Sequence, residues 1–481
     1  MTRIEPAGQT RRELLSRGTL GAGSMALAFL LRQDELLAIP KDVALKPKTY
    51  DLTPKVPQAP PRARALISLF MHGGPSQVDL LDPKPELTRR DGESYEGNVV
   101  FSFFNRATKR LLGSPWKFKQ YGESGTPVSE LLPHLAGIVD DICVVRSMHT
   151  DTNDHGTSIH KLVMGATRPQ RPAFGSWITY GLGSDNQNLP AYVVLSDPGG
   201  HPTLDIRNWS NGWLPSIYQG TVVRSQEPRI LNLEPPGHLK GPLQQQNLDF
   251  LQGLNRDYLQ QHPGESDLEA RIASYELAAR MQTVAKDALD ISQETRQTHE
   301  LYGLDDPASR EYGTRCLIAR RLVERGVRVV QLFLPSQPWD SHTQMRKKLP
   351  EICRKTDKPS AGLVTDLKAR GLLDSTLVHW GGEFGRLPVS EGEPAVGGRD
   401  HNGEGFSLWL AGGGMRTGNP YGETCDFGHR AMVNKVSHHD FQATLLHVFG
   451  LNHETLTFRH NGREQSLTDG RPCRVVDEIF S

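Results

Sequence analysis

Five short stretches of this 481-residue chain gather side chains that bind cations or move protons. "MHGGPSQVD" carries His72 and Asp79; "MHTDTNDHGTSIH" carries His149, Asp151, Asp154, His155 and His160; "SQPWDSHTQ" carries Asp340 and His342; "GGEFGR" carries Glu383 and Arg386; "GGRDHNGEG" carries Arg399, Asp400 and His401. Imidazole mixed with carboxylate suits zinc, manganese or iron, whereas an all-oxygen set suits calcium or magnesium. Taken one at a time, each stretch has a plainer reading, because a lone His or Asp next to a turn commonly caps a helix or closes the turn. Asp440, after His438 and His439, is placed to cap the last helix in this way.

What joins the five stretches is the elements that precede them. From residue 63 onward, apolar runs of strand length alternate with helical patterns. "RALISLFMHGG" is a buried strand ending in a glycine turn, "VSELLPHLAGIVDDICVVRSM" a helix leading into a strand, and "LPAYVVLSD" a third strand. "LIARRLVERGVRVVQLFLP" and "SAGLVTDLKARGLLDSTLVHW" each run helix, glycine, strand; "FSLWLAGGG" is another strand and "DFQATLLHVFGL" a closing helix. This order predicts an α/β fold with a mostly parallel sheet covered by helices on both faces. The exits of parallel strands open on one crevice, so ligands contributed by several exits converge there. Residues 197–262, rich in Pro, Gly, Asn and Gln, read as an irregular insertion rather than sheet.

The bulk properties narrow the partners. Lys+Arg and Asp+Glu are both 55, so the net charge is zero and nothing marks a nucleic-acid or anionic-membrane surface. The five cysteines form no C-x-x-C pair, which argues against a zinc ribbon or a thioredoxin-type site. At the amino terminus, "TRRELLSRGTLGAGSMALAFLL" joins Arg11 and Arg12 to an apolar run too short to span a membrane comfortably, a pattern resembling a twin-arginine export signal. The organisation expected is a leader over 1–39, a Pro/Lys-rich linker over 40–62 and one domain over 63–481. The expected location is periplasmic or extracellular, with the leader cleaved or retained as an anchor and the export machinery as a partner.

"MHGGPSQVDLLDPKP", "PWDSH", "GGEFGRLP", "GRDHN" and "GGGMRTGNPYGETCD", in that order behind such a signal, resemble the exported bacterial family called domain of unknown function 1501, within the alkaline phosphatase and arylsulfatase superfamily. The resemblance covers roughly residues 63 to 480 and implies an alkaline phosphatase-like fold. "VSHHDFQATLLHVFGLN" also resembles the closing segment of arylsulfatases. The departures are specific. His72 stands where metal-binding members place an Asp, and Glu383-Phe384-Gly385 where they have Asp-His-Gly. The nucleophile position falls near His155, with Thr157 and Ser158 following. The sulfatase C-x-P-x-R signature is absent.

The resemblance implies an exported hydrolase of phosphate or sulfate esters that depends on a divalent metal, zinc or manganese. Asp340, His342 and His401 would form the half of the metal site made by the later strands, with His72 and Glu383 as further ligands. His155, Thr157 and Ser158 are the candidates for nucleophile or acid–base work, and Arg386 or Arg399 would steady the anionic group. The substrate would be a small-molecule or polysaccharide ester. The alternative is a non-catalytic metal- or polysaccharide-binding protein that retains the fold, with Trp209, Trp213 and Tyr218 of the insertion stacking on sugars.

Overall fold

The structure, a computed structural model, describes residues 50–102, 107–231, 233–239, 241–262, 265–392 and 397–481. The expected leader lies outside the described residues. Among the described residues two compact units separate: Tyr50 with 235–272, and 51–234 with 273–481. In the first, Pro242–Gln261 forms a 20-residue helix that starts with proline in its first turn, where a missing N–H costs nothing. The second holds the sheet.

Eight strands make that sheet, in the order Val436–Ser437, Ile142–His149, Phe406–Ala411, Thr376–Gly381, Ala65–Phe70, Val329–Phe333, Tyr192–Ser196, Thr221–Arg224. Every pairing is parallel except those of Phe406–Ala411, which runs against both neighbours. The three central strands, ALISLF, TLVHWG and VVQLF, are buried at every position, as expected of a parallel sheet covered on both faces. The chain is therefore the mostly parallel α/β protein that the alternation predicts. Among the described residues, no helix is long and apolar enough to cross a membrane.

Three local expectations need correcting. The segment 197–262 is not irregular throughout, since Thr221–Arg224 pairs with Tyr192–Ser196 as the sheet's edge strand. Residues 51–62 are not a free linker: Lys55 N–H donates to Leu182 O at 2.9 Å, Ala59 N–H to Gly450 O at 3.0 Å and Arg62 N–H to Val448 O at 2.8 Å. The helix expected before Ile142 shrinks to Pro133–Ala136, because Pro133 opens it and Gly137 closes it four residues later. At the last helix, His438–Val448, Ser437 is the cap and Asp440 its reciprocal partner in a capping box.

A second, antiparallel sheet matters for the site. Gly385–Glu391 pairs with Gly398–Asn402 on one side and Ala107–Leu111 on the other. Val78, Leu87, Val99, Leu111, Leu387 and Val389 give it a small core of its own. The Gly398–Asn402 strand leads into Phe406–Ala411, whose direction is reversed, so its start lies at the edge where the parallel strands end.

Candidate metal centre

His155, Asp340, His342 and His401 each turn one ligand atom inward, and these atoms all lie within 4.8 Å of one another. Each comes from a different local device. Asp154 caps the helix His155–Met164 by accepting the Thr157 N–H at 2.8 Å, which fixes His155 as the first helical residue. Asp340 and His342 follow the exit of Val329–Phe333, and His401 is the cross-strand partner of Arg386 in the antiparallel sheet.

The second ring nitrogen of each histidine is already committed. His155 Nδ1 lies 2.6 Å from Glu383 Oε1, His401 Nδ1 lies 2.6 Å from the Asn153 carbonyl, and His342 Nδ1 is hydrogen-bonded to Glu391 Oε2. A carbonyl or a carboxylate only accepts, so Nδ1 carries the hydrogen in all three and Nε2 is the atom that faces the cluster. Those Nε2 atoms stand 3.5 Å (His155), 3.1 Å (His342) and 3.5 Å (His401) from the Asp340 carboxylate. His342 and His401 bring their Nε2 atoms to 2.9 Å of each other. Two neutral imidazoles with both hydrogens on Nδ1 would set lone pair against lone pair at that distance, so a proton or a cation belongs between them.

The electrostatics agree. Burial alone would raise the Asp340 carboxyl, but the Arg386 guanidinium and the three imidazoles hold it well below the carboxylate range. Burial pulls His342 down, yet hydrogen bonds to Asp340 and Glu391 outweigh it and push the ring up to about 9. His155 is raised in the same way by Asp340 and Glu383. His401 goes the other way, lowered by burial against the pull of Asp340, with Arg386, His155 and His342 as neighbouring positive groups. A cation bound at the cluster would displace the proton that His342 otherwise holds. Side-chain exposures of 22% for Asp340 and 19% for His342 let solvent reach it.

The residues fit a divalent metal. Three imidazole nitrogens and one carboxylate are a donor set for zinc or another first-row ion, and imidazoles oriented by carboxylate or carbonyl acceptors are the usual supporting shell.

The other expected site residues lie around this group. Glu383 is not one of the four. Its Oε1 accepts from His155 Nδ1 and from Gly73 N–H at 3.0 Å, an arrangement that orients the His155 ring. His72 is also outside the group: it is fully buried, its ring packs at 4.4 Å from Phe70 and 5.4 Å from Phe333, and burial pushes it down to about 4. Ser158 is fully buried with its hydroxyl 2.7 Å from that of Thr152, which turns it away from nucleophilic work. Thr157 stays half-buried on the first turn behind His155. His155, expected as an acid, base or ligand, joins the ligand cluster.

Neither arginine is available to steady a substrate anion. Arg386 is fully buried; it donates to Asp340 Oδ1 at 2.6 Å, to Gly74 O at 3.1 Å, to Arg399 O at 3.1 Å and to Gly73 O. Arg399 makes a two-point bond to Asp79, at 2.7 and 3.1 Å, with both side chains fully buried. Gly73 ties these groups together, its amide on Glu383 and its carbonyl on Arg386. It sits at φ +106°, and a Cβ there would come within 2.5 Å of Asp340 N, so only glycine lets the two loops close on each other.

Glu391 and the Asn153 carbonyl, which hold the His342 and His401 rings, are not among the residues expected from the sequence. Glu391 ends its strand opposite Gly398, and the strand-like runs "GRLPVSE" and "GRDHN" were the available signal for that hairpin.

The profile of the family described as "Protein of unknown function (DUF1501)" matches residues 63–480. The chain belongs to this family. No curated protein matches it. Among solved structures, the family member is similar to the PsFucS1 sulfatase from Pseudoalteromonas sp., at 11% identity and a TM-score of 0.34 over 81% of this chain and 68% of that one. It is similar to the phosphonate monoester hydrolase SpPMH from Silicibacter pomeroyi, at 11% and 0.36 over 73% and 71%. It is similar also to the alkaline phosphatase of the Antarctic bacterium TAB5, at 11% and 0.25 over 75% and 93%. Likenesses this distant leave the chemistry to the site itself.

Proposed function

We propose that this DUF1501 protein is an exported hydrolase of phosphate or sulfate esters that binds one divalent ion through His155, Asp340, His342 and His401. The observation that carries the reading is the commitment of all three Nδ1 atoms, which leaves three Nε2 atoms converging on one carboxylate. When bound, a divalent ion supplies Lewis acidity toward an ester oxygen or a water. Glu383, Glu391 and the Asn153 carbonyl hold the three rings in one tautomer, and Arg386 fixes Asp340. Water is the proposed nucleophile, since the Ser158 hydroxyl is buried against Thr152.

The protein, purified without chelator, should carry close to one equivalent of zinc or manganese by elemental analysis and turn over aryl phosphates or aryl sulfates. Metal without turnover would move the reading to a non-catalytic metal-binding protein, and no metal would remove both of these and leave only a polysaccharide-binding role. Export rests on Arg11 and Arg12: replacing both with lysine keeps the charge and removes the paired guanidiniums, so export should stop. Normal export of that variant would end the signal assignment.

A further inference from the structure

Of the three aromatic residues that the insertion offers for sugar stacking, the structure removes two. Trp209 and Tyr218 are buried, at 3% and 1% exposure, whereas Trp213 is half-buried and lines a groove of about 700 Å³. We infer that this groove binds an acidic polysaccharide, the Trp213 indole and the His460 ring contacting sugar rings and Arg168 and Arg463 contacting sulfate or carboxylate substituents.

The groove is a constructed surface. Two aromatic rings line it, His460 lying parallel to the Trp213 indole at 5.4 Å and 14°, and the indole is held from beneath by Phe458, stacked at 5.6 Å, and by the buried Trp177, edge-on at 5.4 Å. Its cations are placed by backbone geometry. Phe458–His460 and Arg463–Gln465 form a hairpin closed by Asn461-Gly462, both at positive φ, the tight two-residue turn that such strands favour. His460 and Arg463 are therefore opposite one another and share a face. Arg171 reaches the groove from behind, its guanidinium 5.8 Å from the Trp213 ring and its Nε donating to Met164 O at 3.2 Å. Arg168 stands in solvent at 74% exposure and shares Asp469 with Arg171.

The lining also shows what the ligand is. Its solvent-facing cations are Arg168 and Arg463, since Arg171, at 5% exposure, is spent on Met164 O, Gln465 Oε1, Ser466 O and Asp469, and no acidic residue is among the lining residues described. Asp469 lies behind and offsets one charge. Gln170, Asn461 and Gln465 add amides, which both donate to and accept from hydroxyls. Flat carbon-bearing rings, many hydroxyls and scattered anionic groups are the complement of that surface, and an acidic polysaccharide has all three. Guanidinium forks match sulfate and carboxylate geometry better than ammonium groups would. A neutral glycan would leave the arginines unused; a simple polyanion would leave the two aromatic rings unused.

The groove is tied to the metal cluster by one helix. Met164, which holds Arg171, ends the helix that His155 begins, a span of about 14 Å at 1.5 Å per residue. Binding here does not require the metal, so it stands apart from the hydrolase reading.

The test uses the full chain, with and without chelator, and four probes: dextran sulfate, carboxymethyl dextran, neutral dextran and poly(vinyl sulfate), followed by tryptophan fluorescence and by calorimetry. Dextran sulfate or carboxymethyl dextran should bind at least tenfold more tightly than neutral dextran, and dextran sulfate more tightly than poly(vinyl sulfate) of equal charge. Arg168→Gln with Arg463→Gln, both at exposed positions, should weaken the acidic glycans tenfold or more and leave the metal-induced melting shift unchanged. Equal binding of dextran sulfate and poly(vinyl sulfate) would reduce the groove to a nonspecific basic patch. Unchanged affinity in the double variant, or neutral dextran binding as well as its acidic derivatives, would overturn the site.

Discussion

Glu383 Oε1 sits 2.6 Å from His155 Nδ1, and the far nitrogen of that same ring faces Asp340 at 3.5 Å. A carboxylate just past the end of Thr376–Gly381 thus acts on the cluster through an imidazole. Removing its charge should weaken metal binding without abolishing it. Glu383→Gln retains an oxygen that accepts the Nδ1 hydrogen, so the metal affinity should fall about 10- to 100-fold, the usual cost of losing such a partner. His401→Ala, which deletes a ligand, should cost more. Chelator-competition titrations of the two variants give the comparison; a Glu383→Gln loss as large as that of His401→Ala would put Glu383 in direct contact with the ion.

The Arg399–Asp79 pair leads to a stability prediction. Both side chains are fully buried, with two hydrogen bonds between them and a third to Asp79 from Ser76 Oγ at 2.5 Å. Breaking one partner of such a pair strands a charge, so Arg399→Gln should lose about 3–5 kcal/mol of unfolding free energy in urea, with or without metal. An undiminished stability combined with a raised KM for an anionic ester would restore Arg399 to substrate binding.

Acid should destabilise the protein in part through His379, together with the similarly buried His438 and His72. Its ring is buried at 2% exposure beside Ser68, with Nδ1 3.1 Å from Ser68 Oγ, and burial lowers it to about 3. The native state therefore holds it neutral, while the unfolded chain takes up a proton near the ordinary value of about 6.5. The stability this gives is present above about 6.5 and lost as pH falls towards 3, at up to ~1.4 kcal/mol per pH unit. Urea unfolding in chelator at pH 4 to 7 should show a shallower slope for His379→Gln than for wild type. Parallel slopes would mean that another buried group carries the acid sensitivity.

Much of the site was legible because geometry does the gathering. Strands Ile142–His149, Val329–Phe333 and Thr376–Gly381 are parallel, so the loops leaving their carboxyl ends had to meet at one edge, and His155, Asp340, His342 and His401 do. Roles were harder to read than places. Arg386 and Arg399 look like anion clamps in sequence, since residue type does not say whether a guanidinium points to solvent or into a bed of carbonyls. Glu391 depended on a hairpin register with a bulge between Arg386 and Ser390, and Asn153 contributes only its backbone. The edge strand Thr221–Arg224 was hidden because, at four residues within a Pro- and Asn-rich stretch, it is held by pairing with Tyr192–Ser196 and not by any strong local pattern.

Thr157 decides between the two hydrolytic routes. It lies on the first turn of the helix that His155 opens, and its amide, not its hydroxyl, is used in capping by Asp154. If water attacks, Thr157→Val, nearly isosteric and harmless to the cap, should keep kcat for an aryl ester within about threefold and show no burst of phenol in the first turnover. If the Thr157 hydroxyl attacked, the ester's phosphoryl or sulfuryl group would pass to its oxygen, and removing that oxygen would cost orders of magnitude in kcat. The expected result is the first. A loss of roughly a thousandfold or more in kcat, with metal content and melting temperature unchanged, would make Thr157 the nucleophile and turn the mechanism covalent.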